Sequence, residues 1–317
     1  MGYAYEAEGK TYTLEDEMFL PLPEADKDSE FIAMQSRTYA ADAWIRFKKS
    51  RLAVLSLVIL GVIVLFAIFG PILSPYTYDQ QNFEIRNAMP SAHYLFGTDN
   101  FGRDIFTRVM YGARISLGIG FAAATINLII GVVYGGVSGF LGGRTDMVMM
   151  RIVDMLYAIP SLLYVILIML VFGANMFSVL TGICIASWIG MARIVRSQVL
   201  SLKEQEFAMA AKVLGAGRMR ILLKHLILNS MNAIIVTMTF MIPNAIFTEA
   251  YLSFLGVGIT VPKASWGTMA QESKSLIDSY PIQVLWPLAA ICITMFALNF
   301  IGDRLGDALD PKKHRGS

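Results

Sequence analysis

Charge is scarce in these 317 residues: Lys, Arg, Asp and Glu make up 16%, whereas 56% are hydrophobic. A soluble domain carries roughly 25% charged residues because water must wet its whole surface, so a chain this poor in charge is suited to a bilayer. Cysteine is scarcer still. Cys184 and Cys292 each stand inside an apolar run, which excludes a disulfide framework or a cysteine-based metal site and predicts two inert buried thiols. The three histidines, His93, His225 and His314, form no His-Glu-x-x-His pattern, so a zinc hydrolase has no ligand set. His225 beside Lys224 reads as a headgroup contact. A phosphate-cradling loop is also missing, because Gly9-Lys10-Thr11 has Ala4 where the first glycine belongs and no apolar strand before it. Nucleotide hydrolysis is therefore expected on another chain. The net charge of +2, with basic residues in short clusters, gives no nucleic-acid footprint. The first 30 residues are acidic, contain proline and lack an apolar core, which predicts an uncleaved, mobile tail.

What the chain has in abundance is long uncharged sequence. A helix rising about 1.5 Å per residue needs about 20 apolar residues to cross hydrocarbon while satisfying its own backbone. Uncharged runs cover 52–72, 115–141, 155–192, 226–248 and 279–302. The third is long enough for two spans, with a turn expected at Gly173-Ala174-Asn175. The reading is an all-α integral membrane protein of six transmembrane helices. It divides into a tail at 1–45, a first span and outer loop at 46–114, a five-helix core at 115–305 and a second tail at 306–317. A loop at 193–225 interrupts the core. Lys and Arg number 20 on the side of the termini and that loop against 6 on the other, which predicts a cytoplasmic placement for both termini and the loop.

Several smaller expectations follow. Arg103, Arg108 and Arg114 crowd the outer end of the second run, and Ile105, Phe106, Val109 and Met110 give that stretch an apolar side, predicting a short helix lying on the outer surface. Gly131 and Gly135 share one helix face and invite close approach of another backbone. Asn127, Tyr134, Tyr157, Tyr164, Asn232 and Asn244 are candidates either for a polar path or for interhelical hydrogen bonding. Asp154 and Glu249 flank runs and read as span-end residues facing water. With no ionisable residue inside a run, an ion-coupled secondary transporter is the weaker reading.

Between the fourth and fifth spans, Phe207, Ala210, Ala211 and Leu214 fall at i, i+3, i+4 and i+7, one face of a helix too short to cross. Gly215 follows where a helix end needs a left-handed residue, and Gly217 keeps the exit flexible. Such a helix suits a groove on another protein or a rest on lipid headgroups. The stretch from Glu206 to Ala211 followed by Gly215 resembles the EAA loop of bacterial ABC-importer permeases, in its dipeptide and oligopeptide branch. Residues 96–120, 252–269 and 299–311 resemble that branch's other signatures in the same order, so the resemblance spans about 53–311. Met209, Leu228, Arg304 and Gly306 depart from the pattern. The resemblance implies the type I importer permease architecture in a bacterial cell membrane, embedded as a multi-pass chain in the lipid bilayer. It also implies a second homologous permease, two cytoplasmic ATPase subunits that carry ATP and magnesium, and an extracytoplasmic substrate-binding protein. Peptide is the leading substrate, with nickel complexes and sugars carried by relatives. No catalytic residue, metal or cofactor is expected on this chain itself. Glu206, Ala210, Ala211 and Gly215 take the coupling-loop positions that the resemblance implies, and Phe207 and Leu214 join them from the shared helix face.

Overall fold

The computed structural model describes residues 3–7, 10–14, 38–259 and 263–310, in two compact units, Met1–Asp42 and Ala43–Ser317. In the first, β1 (Tyr3–Ala7) runs antiparallel to β2 (Lys10–Leu14), with Tyr3 opposite Leu14 and Ala7 opposite Lys10. The aromatic and β-branched content of these two segments favours strands, so the expected mobile tail contains regular structure at its start. The rest of that expectation, residues 1–2, 8–9 and 15–37, lies outside the described residues. Helix α1 (Tyr39–Lys49) begins six residues before the predicted end of the tail. Its Phe47 is buried against Ala53 and Ala308, and Trp44 stacks on it at 5.8 Å. Arg46, Lys48 and Lys49 occupy its last turn, where the helix dipole favours cations.

The bundle follows as α2 (Arg51–Leu73), α3 (Ile105–Leu141), α4 (Gly143–Tyr157), α5 (Ser161–Phe172), α6 (Met176–Leu202), α8 (Arg218–Phe254) and α10 (Ile282–Leu309). Two short helices, α7 (Glu206–Val213) and α9 (Trp266–Ser273), stand between the spans. Among the described residues, five helices are long and apolar enough to cross a membrane, and α4 with α5 makes a sixth span only as a pair bent by 78°. The run at 155–192 therefore does not form two straight spans. Pro160 has no N–H and bars its predecessor from the helical region, so the helix stops at Tyr157 and restarts at Ser161. The second turn stands where expected. Gly173 has φ +80°, and Asn175 caps α6 by accepting a hydrogen bond from the Ser178 N–H at 3.0 Å.

The helix expected on the outer surface is instead the beginning of α3, continuous with the span. Asp104 caps it, its carboxylate accepting from the Thr107 N–H at 2.8 Å, while burial pushes the Asp104 carboxyl up from its usual range. Arg103 and Arg108 lie inside, paired with Asp99 and Glu272. Two guanidiniums provided with carboxylates have no need of a wet surface.

Spans α3 and α6 form the tightest pair, and glycine is the reason. Gly131, Gly135 and Gly139 repeat every four residues along α3 and face Met191, Ala192, Arg196 and Val199 of α6. A Cβ on Gly131 would stand 2.5 Å from the Met191 Cβ, and one on Gly139 would stand 2.8 Å from the Arg196 carbonyl. In hydrocarbon, helices gain little from burying apolar surface against one another, so close backbone approach supplies the packing. On the other side of α3, Ala113, Leu117 and Ala124 meet Ile242, Ile246 and Ala250 of α8 and Ile291 and Leu298 of α10, with Trp266 of α9 at one end of this core. Span α2 is apolar all round and leaves Leu55, Val58, Leu65, Phe66 and Phe69 exposed, as a helix facing lipid does. Its first turn meets the last turns of α10 through Ala53 and Ala308, so the chain enters and leaves the bundle at one end.

Candidate functional site

The stretch read as a loop at 193–225 is mostly helix. Span α6 continues to Leu202 and α8 starts at Arg218, leaving 203–205 and 214–217 as the connections around α7. Glu206 sits in the first turn of α7, at the positive end of its dipole. The helix ends in a Schellman motif: the Ala216 N–H donates to the Ala211 carbonyl at 3.0 Å and the Gly215 N–H to the Lys212 carbonyl at 3.1 Å. Gly215 has φ +80°, the left-handed conformation that this ending requires and that glycine adopts without strain.

The predicted apolar face divides in two. Phe207, Ala210 and Leu214 point outward, with Leu214 86% exposed. Ala211 turns inward with Ala208, and both are buried in a cluster with Val195 and Val199 of α6 and Ile221, Leu222 and Leu226 of α8. Ala211 therefore seats the helix on its own chain rather than presenting it to another. Sequence period identified the helix but not its rotation, since the i, i+3, i+4 pattern also admits the face through Ala208 and Ala211. The outward residues Phe207, Val213 and Leu214 form an exposed apolar surface, the signature of an interaction site.

Two ion pairs brace the α6 strut that leads into α7. Asp146 of α4 accepts from Arg196 through both oxygens at 2.5 Å and from the Ser138 hydroxyl of α3 at 2.5 Å. Bidentate geometry of this kind fixes orientation as well as distance. Asp154, exposed as expected, accepts from Arg193 at 2.9 Å. At the other end of the bundle, Glu249 departs from expectation. It is fully buried inside α8, where its Oε2 accepts from the Ser116 hydroxyl of α3 at 3.1 Å and its Oε1 from the Ser253 hydroxyl at 2.9 Å. Ser116 in turn accepts from the Trp266 N–H at the start of α9, at 3.3 Å. The carboxyl thus joins α3, α8 and α9, and no pattern in the sequence announces partners so far apart. Glu249→Gln, which keeps an acceptor oxygen for one hydroxyl and offers an N–H to the other, is expected to lower the unfolding temperature of detergent-solubilised protein less than Glu249→Leu, which strands both. The expected difference is about 1–3 kcal/mol, and equal midpoints for the two variants would refute the clasp.

The candidate path residues also separate. The Tyr134 hydroxyl donates to the Met149 carbonyl at 2.9 Å and the Tyr164 hydroxyl to the Leu156 carbonyl at 2.8 Å, so both tie helices together. Asn127 is buried in α3, whereas Asn244 is exposed on α8. Tyr157 is exposed beneath the Arg193 guanidinium, which lies 4.4 Å from its ring, and Asn232 is half-buried. Among the described residues, no group of His, Cys, Asp and Glu is placed to hold a metal ion.

Comparison with known proteins places this geometry. Residues 128–315 match the family model described as "Binding-protein-dependent transport system inner membrane component", and 38–90 match the "N-terminal TM domain of oligopeptide transport permease C". The oligopeptide transport system permease protein OppC of Bacillus subtilis is 50% identical over 93% of this chain and 97% of its own. The dipeptide transport system permease protein DppC of the same organism is 46% identical over 95% and 94%. OppC of Escherichia coli K12 is 42% identical over 90% and 95%. Among solved structures, a chain of the MetNI methionine ABC transporter in its inward-facing conformation superposes with a TM-score of 0.50 at 16% identity. It covers 63% of this chain and 94% of its own length, a likeness of fold. With a family model over more than half its length and full-length relatives this similar, the chain belongs to the binding-protein-dependent inner membrane components, the multi-pass permeases of ABC transport systems.

Proposed function

We propose that this chain forms, with a second related permease, the translocation path of an ATP-driven importer for dipeptides or oligopeptides. The observation that carries the coupling is α7, seated between α6 and α8 through Ala208 and Ala211 and presenting Phe207, Ala210 and Leu214 outward. Its connections of three and four residues leave little slack. A closing pair of cytoplasmic ATPases, which hold ATP and magnesium, therefore moves α7 together with α6 and α8 as one body and opens or closes the path. The outward face accounts for docking, Glu206 for the helix start and Gly215 for its end. The peptide class is supported by the names of the full-length relatives, and an extracytoplasmic binding protein delivers it. Counted along the sequence, Lys and Arg number 20 in the two tails and the segments that alternate with them across the spans, the α7 segment included, against 6 in the others, which supports a cytoplasmic position for α7 and both termini.

The buried Glu249 does not strengthen the secondary-transporter reading, because hydroxyls of its own bundle occupy both its oxygens. The test is to purify the tagged chain in mild detergent, identify its companions by mass spectrometry, and reconstitute it with the peptide-binding protein. Two ATPase chains, one other six-span permease and ATP-dependent peptide uptake are the expected result. Recovery of the chain alone, moving solute without ATP, would overturn the proposal.

A further inference from the structure

Beneath α7, on the side away from Phe207 and Leu214, lies a cavity of about 770 Å³ bounded by Lys203, Lys212 and Arg218. Glu204 is the single carboxylate in its lining. Among the described residues, none of the three cations has a carboxylate within ion-pair distance. Lys203 donates to the Gly139 carbonyl at 3.0 Å, which neutralises the negative end of α3, and Lys212 and Arg218 are exposed. The remaining wall is apolar, and two of its residues, Phe140 and Leu141, are the last two of span α3. The cavity therefore has a cationic floor and an apolar wall that reaches the surface at the end of span α3, Leu141 being 53% exposed.

We infer that this cavity binds the headgroup of an anionic phospholipid, its phosphate between Lys212 and Arg218 and its glycerol and acyl ends along Phe140 and Leu141. Charge selects the phosphate, and the apolar wall selects a lipid over a free anion. The size lies within the range of about 300–1,000 Å³ typical of small-molecule sites. Because Ala208, Met209 and Lys212 of α7 line the cavity, the bound lipid props the same helix that carries the outward docking face. The inference adds to the function proposed above only that α7 lies at an anionic leaflet. The binding step itself requires neither orientation nor transport.

The intact complex, purified in detergent and exchanged into vesicles of phosphatidylcholine with or without phosphatidylglycerol, provides the test. Native mass spectrometry is expected to show one phosphatidylglycerol retained per copy of this chain. Lys212→Gln with Arg218→Gln, which leaves the Lys203 to Gly139 bond intact, is expected to retain it roughly thirtyfold more weakly, from about 1 kcal/mol per basic residue. Size-exclusion chromatography of the same sample shows whether that variant assembles. If it does not, Leu141→Asn is measured instead, with the same loss expected. Equal retention by an assembled variant would overturn the inference. So would displacement of the lipid by millimolar inorganic phosphate, which marks a free-anion site, or retention only after the ATPases are stripped away, which assigns the cations to an acidic partner segment. If the companion search fails, the chain recovered alone is measured in the same vesicles; lipid retention there refutes the transport reading alone, so the two failures are distinguishable.

Discussion

Glu272→Ala is expected to prevent this permease from reaching a stable fold. Glu272 Oε2 accepts from Arg103 at 2.8 Å and from Arg108 at 2.6 Å. Among the described residues Asp99 supplies the one other carboxylate within ion-pair distance, at 2.6 Å from Arg103 and 3.7 Å from Arg108. The Arg108 side chain is 1% exposed and that of Arg103 5%. With Glu272 gone, two buried guanidiniums share one carboxylate. Removing one partner of a buried ion pair costs about 3–5 kcal/mol, a large part of the roughly 5–15 kcal/mol that holds a native protein together. The cluster also fastens α9 to the start of α3 and to the loop before it, so its loss frees that whole end of the bundle. The monodisperse fraction after detergent extraction should fall severely. Glu272→Gln, which keeps an oxygen acceptor but no charge, should fall between parent and alanine variant. An alanine variant that extracts and melts like the parent would show that the cluster contributes little.

The second large effect separates the two faces of α7. Ala211→Glu places a carboxylate among Ile221, Leu222 and Leu226, where an unpaired charge costs several kcal/mol or forces the helix off its seat. Phe207→Glu alters a side chain already 40% exposed and leaves that seat intact. Both are expected to reduce ATP-driven uptake at least tenfold, for different reasons. Ala211→Glu should also open the connections around α7 to protease, whereas Phe207→Glu should resist protease like the parent and lose the proposed ATPase subunits during purification. If Phe207→Glu keeps its uptake and the same co-purifying subunits as the parent, the docking face lies elsewhere. Gly215→Val acts through backbone alone, because nothing stands within 4 Å of a Cβ there. A β-branched residue at φ +80° is strained by about 1–2 kcal/mol, and its uptake should fall less than that of Ala211→Glu.

Hydropathy located α2, α3, α6, α8 and α10 because a bilayer imposes the same demand at every residue, and that demand is visible in composition. In the run at 155–192 it located the turn at 173–175 but not the break at Pro160. Proline breaks the helix locally, but the 78° bend between α4 and α5 depends on what each half packs against. The arginines near α3 were misread for a related reason. A charged, half-apolar segment has the composition of a surface helix, and only the position of Glu272, 164 residues from Arg108 in the chain, makes burial affordable to two guanidiniums.

By itself the sequence determined the solvent this protein lives in, the number of its crossings, the close-packing glycines of α3, and the short helix between the fourth and fifth spans with its glycine stop. These are local properties, written in composition, period and backbone freedom. Only the tertiary structure decided which side of α7 faces its own chain, that Glu249 lies at the centre of a serine clasp, and that Arg103 and Arg108 are buried. Each of these depends on partners brought from distant segments, as Ser116 is brought to Glu249 across 133 residues, and electrostatic pairing over such separations leaves no periodic trace in the chain.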